Sequence, residues 1–232
     1  MSSTHVPPID AHRTLGDLVA ERPSRARVLE RRGLDYCCHG QRSLAEAAAS
    51  AGLDVTAVAT ELAAAEDAGD VGVDRLPPDE LIDHILGVHH AYLHDELPLL
   101  EGLAAKVRDV HGERHPELVL VAHLVTAIRA DLEPHLGTEE RILFPAIRQM
   151  VLGGGEPTGA VAQPIRLMRS EHEAAGTLLE ELRTATGGYG VPDDGCASYR
   201  SLYERLEALE TDTHRHIHLE NNVLFPAVLP RT

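Results

Sequence analysis

The sequence predicts an all-α protein in which a small N-terminal helical domain precedes an antiparallel four-helix bundle. Its apolar residues are mainly Leu, Ala, Val and Ile, whereas aromatic residues make up only 3% of the chain. That composition favours helices over sheets. Four long amphipathic stretches lie at about residues 79–109, 116–150, 164–186 and 197–224, and loops containing glycine join them. Long helices with short connections are typical of antiparallel bundles.

Composition and charge exclude several classes of function. The chain has 232 residues and a formal net charge of −16, which argues against a nucleic-acid partner because such proteins present clustered Lys and Arg. No apolar run approaches the length of a membrane span, and the N-terminus has no signal-peptide core. We therefore expect a cytoplasmic protein without a membrane partner. The chain has three cysteines, an odd number, and no sign of secretion, so we do not expect a fold held together by disulfides.

The N-terminal domain, residues 1–66, contains signals for four short helices. Ser43 and Glu46 have the spacing of a capping box. Gly33 and Gly52 are placed to end the second and third helices. The predicted helix starts are at Thr14, Pro23, Ser43 and Asp54.

Residues 67–78 form the predicted linker because they contain Gly69, Gly72 and a proline pair. Residues 79–232 form the predicted bundle. An internal repeat supports this division, since the segment from His135 to Ile147 matches the segment from His216 to Val228. The first and third helices are also weakly similar, so the bundle is predicted to consist of two related helical hairpins.

Stepping by three or four residues along each long helix traces one stripe that is predicted to be buried. Each stripe is apolar except where it meets a histidine, a glutamate or a single threonine. All four helices therefore direct polar ligands toward one core. The first two stripes are Ile82, Leu86, His90, Leu93, Leu97 and Leu100, and Val121, Val125, Ile128, Leu132, His135, Glu139 and Ile142. The other two are Ile165, Met168, His172, Ala175, Leu179 and Leu182, and Leu202, Leu206, Leu209, Thr213, His216, Glu220 and Val223.

The spacing His-x-x-x-Glu places an imidazole and a carboxylate one turn apart on the same helix face. Two such pairs and one histidine from each remaining helix give six ligands. Imidazole with carboxylate suits iron or manganese, and zinc less specifically. A buried carboxylate without compensation costs several kcal/mol, about 3–5, and a cation removes that cost. We therefore predict two non-haem irons with bridging glutamates. The six ligands are His90, His135, Glu139, His172, His216 and Glu220.

Cysteines and further histidines lie outside this set. Cys37 and Cys38 are adjacent in a glycine-bounded loop, which indicates a reactive or metal-binding pair. A disulfide between neighbouring cysteines is strained, so two thiols are the expected resting form. Cys196 lies in a loop and is interpreted as incidental. His89 and His94 are expected on the surface or behind the ligands, and His218 on the far side of its helix.

These residues resemble a known family. The C-terminal two-thirds is similar to a hemerythrin-like cation-binding bundle. The motif Asp35-Tyr-Cys-Cys-His-Gly40 before it, with Leu-Glu-Asn-Asn-Val-Leu-Phe-Pro near the end, resembles the repair-of-iron-centres (RIC) family. The resemblance runs from about Leu15 to Ala227. It implies the same six iron ligands and a thiol role for the cysteine pair. His39 stands where relatives can have glycine, and Glu171 resembles an acidic residue near the family's iron channel.

The resemblance implies repair of iron–sulfur clusters damaged by nitric oxide or oxidants. The expected partners are damaged iron–sulfur proteins, with nitric oxide or dioxygen as small ligands. Iron donation and nitric oxide reduction are both consistent with it, because two irons can supply the two electrons that couple two nitric oxide molecules. It also implies a homodimer formed through the N-terminal domain.

Two alternatives come from other classes of protein. A hemerythrin-like oxygen or nitric oxide binding or sensing protein would usually have a second histidine four residues after His172. Gly176 occupies that position, which weakens this interpretation. A ferritin-like oxidase uses Glu-x-x-His motifs, whereas this chain has His-x-x-x-Glu, so this alternative ranks last.

Overall fold

The computed structural model describes residues 9–65, 72–153 and 159–229. The described chain divides into two compact units. The terminal unit contains the residues through Leu81 together with those from Ile217 onward, and the central unit contains Ile82–His216. Both units are built from helices, which confirms the all-α prediction.

Four short helices open the terminal unit, and their starts follow from local capping. The Thr14 side chain accepts from the Asp17 amide at 3.1 Å. Ser43 and Glu46 form the complete capping box, and Asp54 accepts from the Thr56 amide at 2.9 Å. Each of these bonds satisfies an amide that the helix itself leaves unpaired. The four helices are α1 (Leu15–Glu21), α2 (Ala26–Arg31, after the 3₁₀ turn Pro23–Arg25), α3 (Leu44–Ser50) and α4 (Val55–Ala64).

The core of the terminal unit combines both ends of the described chain. Leu18, Leu29, Leu44 and Leu62 are fully buried in it. Ile217, from the C-terminal segment, belongs to the same apolar cluster. The N-terminal helices therefore do not complete their core alone.

Four long helices form the central unit's bundle, and shorter segments extend them. The chain enters through α5 (Pro78–His84), which follows the 3₁₀ turn Val73–Arg75. The described helix bounds confirm the predicted bundle helices except at the start of the third, which begins before Pro164. A proline keeps a helical φ angle, so it removes one donor without ending the helix. The bundle helices are α6 (Ala91–His111), α7 (Glu117–Thr138, continued by α8, Phe144–Leu152), α9 (Gly159–Ala185) and α10 (Ala197–His218). The end of α10 and its continuation α11 (Phe225–Val228) belong to the terminal unit.

Three π-helical segments interrupt the described helices, and the sequence prediction of continuous α-helices did not include them. They are π1 (Ile85–His90), π2 (Glu139–Leu143) and π3 (Leu219–Leu224). A π turn contains an additional residue relative to an α turn, so the buried stripe shifts by one position. Ile85, Leu143 and Leu224 are buried.

The shift corrects three residues of the predicted stripes. Ile142 is 60% exposed, while Leu86 and Val223 are only half-buried. Each of the three lies within a π segment, where stepping by three or four residues no longer follows one face. The remaining members of the predicted stripes are buried.

Proline supplies a local reason for two of the π segments. Pro145 is the second residue after π2, and Pro226 is the second residue after π3. Proline has no N–H to donate to the carbonyl four residues earlier, and in both cases that carbonyl belongs to the π segment. The repeated Leu-Phe-Pro-Ala motif is thus the signal by which these segments could have been anticipated.

The predicted linker, the glycine loop and the absence of a membrane span can be compared only with the described part of the chain. Residues 67–71 of the predicted linker lie outside the described residues, as does the glycine loop from residue 154 to residue 155. Within the ranges that the structure covers, none of the helices combines the length and hydrophobicity that a membrane span requires.

Candidate metal centre and cysteine loop

Five of the six predicted ligands lie together in the interior of the central unit. Each is at most 4% exposed. His90 ends π1, and Glu139 begins π2, one turn after His135 on α7. The other two ligands lie on different helices, His172 on α9 and His216 on α10.

Glu139 lies between two pairs of histidines. Its Oε2 atom is 3.4 Å from Nε2 of His90 and 3.4 Å from Nε2 of His135. The same oxygen is 3.9 Å from Nε2 of His216, and the Nε2 atoms of His135 and His172 are 3.1 Å apart. Two ligands on one metal at about 2.0–2.1 Å are separated by roughly 3.0–3.4 Å. The spacing therefore suits direct coordination.

The donors form two overlapping groups, both of which contain Glu139. In one group the potential ligand atoms of His90, Glu139 and His216 lie within 4.8 Å of one another. In the other, those of His135, Glu139 and His172 meet the same limit. Imidazole and carboxylate donors in a buried bundle core fit a metal site.

Carboxylates outside the groups orient two of the imidazoles. Glu171 accepts a hydrogen bond from Nδ1 of His135 at 2.7 Å, and Glu140 accepts one from Nδ1 of His90 at 3.0 Å. An imidazole that donates from Nδ1 keeps the lone pair of Nε2 for a metal, and ligating histidines generally have such a partner. The family resemblance associates Glu171 only with the iron channel, and no sequence pattern points to Glu140.

Glu140 also accepts from Nε2 of His94 at 2.7 Å. Burial raises the pKa of the Glu140 carboxyl, but the hydrogen bonds from His94 and His90 outweigh it, so the pKa lies below its ordinary value. Glu140 is therefore an anion at neutral pH, as its role as a double acceptor requires. His94 is exposed, and the Glu140 carboxylate connects it by hydrogen bonds to the predicted ligand His90.

His89 is buried beside His216, so it takes the second of its two expected positions, behind the ligands. Its ring stacks on the His216 ring with centroids 5.8 Å apart, and its Nδ1 lies 2.8 Å from Oδ1 of Asp212. His89 thus packs against a predicted ligand, at a buried position of the kind that apolar residues occupy elsewhere in the core. The sequence signal for it was only its adjacency to His90.

Glu220, the sixth predicted ligand, is assigned to the terminal unit. It is fully buried and lies in π3, one turn after His216 along the same continuous helix. His218, the last residue of α10, is fully buried too. Its ring lies 5.5 Å from the ring of Tyr36, and its Nε2 lies 3.4 Å from Oδ1 of Asp74.

The cysteine loop, residues 35–40, connects α2 and α3 in the terminal unit. Cys37 is 3% exposed and Cys38 is half-buried. Their sulfur atoms are 3.7 Å apart, and neither forms a disulfide. A hydrogen bond with Cys38, burial and the Asp35 carboxylate all raise the pKa of the Cys37 thiol well above its ordinary value. The Cys37 thiol is therefore protonated at neutral pH when no cation is bound.

Cys196 has a partner that the sequence did not reveal. Its Sγ lies 3.1 Å from Nε2 of His111 in the central unit. Cys196 is exposed, whereas His111 is buried. The two residues are distant in the sequence, so only the fold brings them together.

Comparison with known proteins assigns both parts of the chain. Residues 81–228 match the model of the Hemerythrin HHE cation binding domain, and residues 11–66 match ScdA_N, a domain of unknown function. Iron-sulfur cluster repair protein YtfE of Citrobacter koseri is 37% identical over 216 residues, covering 93% of this chain and 96% of the relative. The proteins of the same name from Escherichia coli O157:H7 and Escherichia coli O1:K1 are 37% and 36% identical over the same shares. The chain, with its ScdA_N domain and its hemerythrin HHE cation binding domain, therefore belongs to the iron-sulfur cluster repair family.

Proposed function

We propose that this protein binds two non-haem irons and repairs iron–sulfur clusters damaged by nitric oxide or oxidative stress. The main support for two metal ions is that the Glu139 carboxylate lies within ligand distance of two separate groups of histidines. One carboxylate shared by two groups suits a bridged pair of metals. The names of the curated relatives support the repair function.

In this proposal Glu139 and Glu220 bridge the irons, and the histidines provide the terminal ligands. Glu220 is included because it is buried and follows His216 at the spacing by which Glu139 follows His135. The full ligand set is His90, His135, Glu139, His172, His216 and Glu220.

The protein's own groups prepare this centre for ligand binding. Glu171 and Glu140 hold the Nδ1 protons of His135 and His90, which fixes the direction of both Nε2 lone pairs. The surrounding apolar residues, such as Leu132 and Leu136, limit the access of water. Iron bound here would supply the electrons and the exchangeable metal that repair requires.

The cysteine pair, Cys37 and Cys38, is proposed to assist repair through its thiols. Damaged iron–sulfur proteins are the proposed partners, and nitric oxide or dioxygen the proposed small ligands. We also propose a cytoplasmic location, a homodimer, and a domain division at residues 67–78. Reduction of nitric oxide would make the protein an enzyme, whereas donation of iron alone would not.

The first experiment measures iron per chain after anaerobic purification from iron-replete cells. We expect about two irons, and reactivation of a nitric oxide-damaged iron–sulfur enzyme by the iron-loaded protein. Zinc alone, or no metal, would contradict the redox proposal. Two irons without reactivation, combined with reversible dioxygen binding, would favour the binding or sensing alternative.

A further inference from the structure

The cysteine loop brings three different metal-binding groups together at the surface of the terminal unit. The carboxylate of Asp35 and the sulfur atoms of Cys37 and Cys38 lie within 4.8 Å of one another. Oδ1 of Asp35 is 3.2 Å from Sγ of Cys37. This donor set differs from the imidazole–carboxylate centre, since thiolates select softer cations.

The distance between the two sulfur atoms suits one tetrahedral ion. Zinc–sulfur bonds are about 2.3 Å long, so two thiolates on a tetrahedral zinc are separated by about 3.8 Å. The observed separation between Sγ of Cys37 and Sγ of Cys38 is 3.7 Å. The side chains therefore need little rearrangement to share a cation.

Hydrogen bonds hold the Asp35 carboxylate in place within the loop. Oδ1 accepts from the backbone amides of Cys37 at 3.0 Å and Cys38 at 2.9 Å. Oδ2 lies 2.6 Å from Nδ1 of His39. Fixing a ligating carboxylate in this way is typical of metal sites, and it gives His39 a positioning role.

The loop backbone is held by the segment that follows Glu220. Asn222 donates from Nδ2 to the carbonyl oxygens of Tyr36 and Cys37, both at 3.1 Å, and Asn221 donates to Cys37 at 3.3 Å. Gly40 is required for this approach, since a Cβ there would collide with Oδ1 of Asn222 and the Tyr36 carbonyl. The two thiols therefore extend from a fixed backbone.

We propose that Asp35, Cys37 and Cys38 form a second metal site that binds one Zn²⁺ ion in tetrahedral geometry. Each thiol releases its proton to solvent as its sulfur binds the ion, as thiolate coordination requires. Three protein ligands leave one tetrahedral position for water or for an incoming ligand. The half-buried Cys38 and the exposed Asp35 give the ion a route to the buried Cys37.

The test is an anaerobic titration of the full-length, iron-loaded, reduced protein with Co²⁺, a spectroscopic substitute for Zn²⁺. We expect a thiolate-to-Co²⁺ charge-transfer absorption that saturates near one equivalent and disappears on addition of equimolar Zn²⁺. Because the chain contains three cysteines, this band reports on the loop or on Cys196. Cys196→Ser is therefore the matched control and should retain the band.

Variants of the loop assign the ligands. Cys37→Ser with Cys38→Ser should abolish the band, and Asp35→Asn should weaken Co²⁺ binding by at least about tenfold. A band that persists in the double variant, or that is lost in Cys196→Ser, would overturn the assignment. So would failure of Zn²⁺ to displace Co²⁺.

A measurement on the unmodified protein covers the case in which the double variant does not fold. X-ray absorption of Cd²⁺ bound in stoichiometric amount to the iron-loaded protein should show two sulfur neighbours. A first shell of nitrogen and oxygen alone would contradict the proposal. The single variant Cys38→Ser, at a half-buried position, should reduce the sulfur count to one.

Discussion

The side-chain amide of Asn222 donates to the carbonyl oxygens of Tyr36 and Cys37, each 3.1 Å away. These bonds join the last π-helical segment to the cysteine loop inside the terminal unit. Asn222 and Cys37 are far apart in the sequence, so the contact depends on the folded chain. The position of the two cysteines is therefore coupled to the segment that contains Glu220.

Asn222→Ala should lower the free energy of unfolding by about 1–3 kcal/mol, because the Tyr36 carbonyl loses the Asn222 amide and the Cys37 carbonyl keeps only the bond from Asn221. Urea denaturation followed by circular dichroism measures the change. The cysteines should also react faster with a thiol reagent. Glu204→Ala, at an exposed position of α10, is the control and should change neither quantity. An unaltered unfolding midpoint in Asn222→Ala would show that the bonds do not contribute to stability.

Glu171→Ala should weaken metal binding by about 10–100-fold, because His135 loses the carboxylate that orients it. Metal affinity measured by competition with a chelator tests this. Glu173→Ala is the matched control, since Glu173 lies on the same helix and is exposed. Equal affinities of the two variants would exclude an orienting role for Glu171.

Glu139→Ala should reduce iron from about two per chain to less than one, because both donor groups lose the carboxylate they share. Glu220→Ala should also reduce iron if its carboxylate is the second bridge. Ile142→Ala, in the same π segment but 60% exposed, is the control and should retain the iron. Full retention of both irons in Glu139→Ala would rule out the bridging assignment.

Ionised Glu21 should stabilise the terminal unit, so the free energy of unfolding should fall when Glu21 is protonated at low pH. Hydrogen bonds from Arg25 and Arg13 lower its pKa from the ordinary 4.5 to about 2. The stabilisation is fully present above pH 4.5 and is lost as the pH falls through about 2. Because the Glu21 side chain is 48% exposed, solvent screening keeps the effect small.

Glu21→Gln should flatten this acid dependence, measured as the urea midpoint between pH 5 and pH 2, approximate limits that bracket the titration. Added salt should reduce the difference between the variant and the natural chain. Identical slopes in the two proteins at low salt would show that the arginine contacts do not stabilise the folded state.

Features that depend on neighbouring residues could be predicted from the sequence. The caps of Thr14, Ser43 and Asp54 are local hydrogen bonds, so the helix starts in the terminal unit were predictable. The ligand helices were predictable because His135 and Glu139 interrupt an otherwise apolar stripe. Both kinds of signal lie within a few residues.

Features that depend on packing could not be predicted in the same way. The pairing of Glu140 with His90 and of His111 with Cys196 joins different helices, and neither pair has a characteristic spacing. The π segments changed which residues are buried, so Ile142 was placed on the wrong face. The prediction for Ile142 was wrong because it assumed the α-helical period of about 3.6 residues along the whole helix.

The terminal unit has a consequence for how the protein is made. Ile217 contributes to its core and Asn222 holds its cysteine loop, yet both residues are translated after the whole central unit. Domains generally fold as units during synthesis, but this one lacks part of its interior until the residues from Ile217 onward have been made. While the bundle sequence is translated, the apolar residues of the N-terminal helices that pack against Ile217 therefore remain partly exposed.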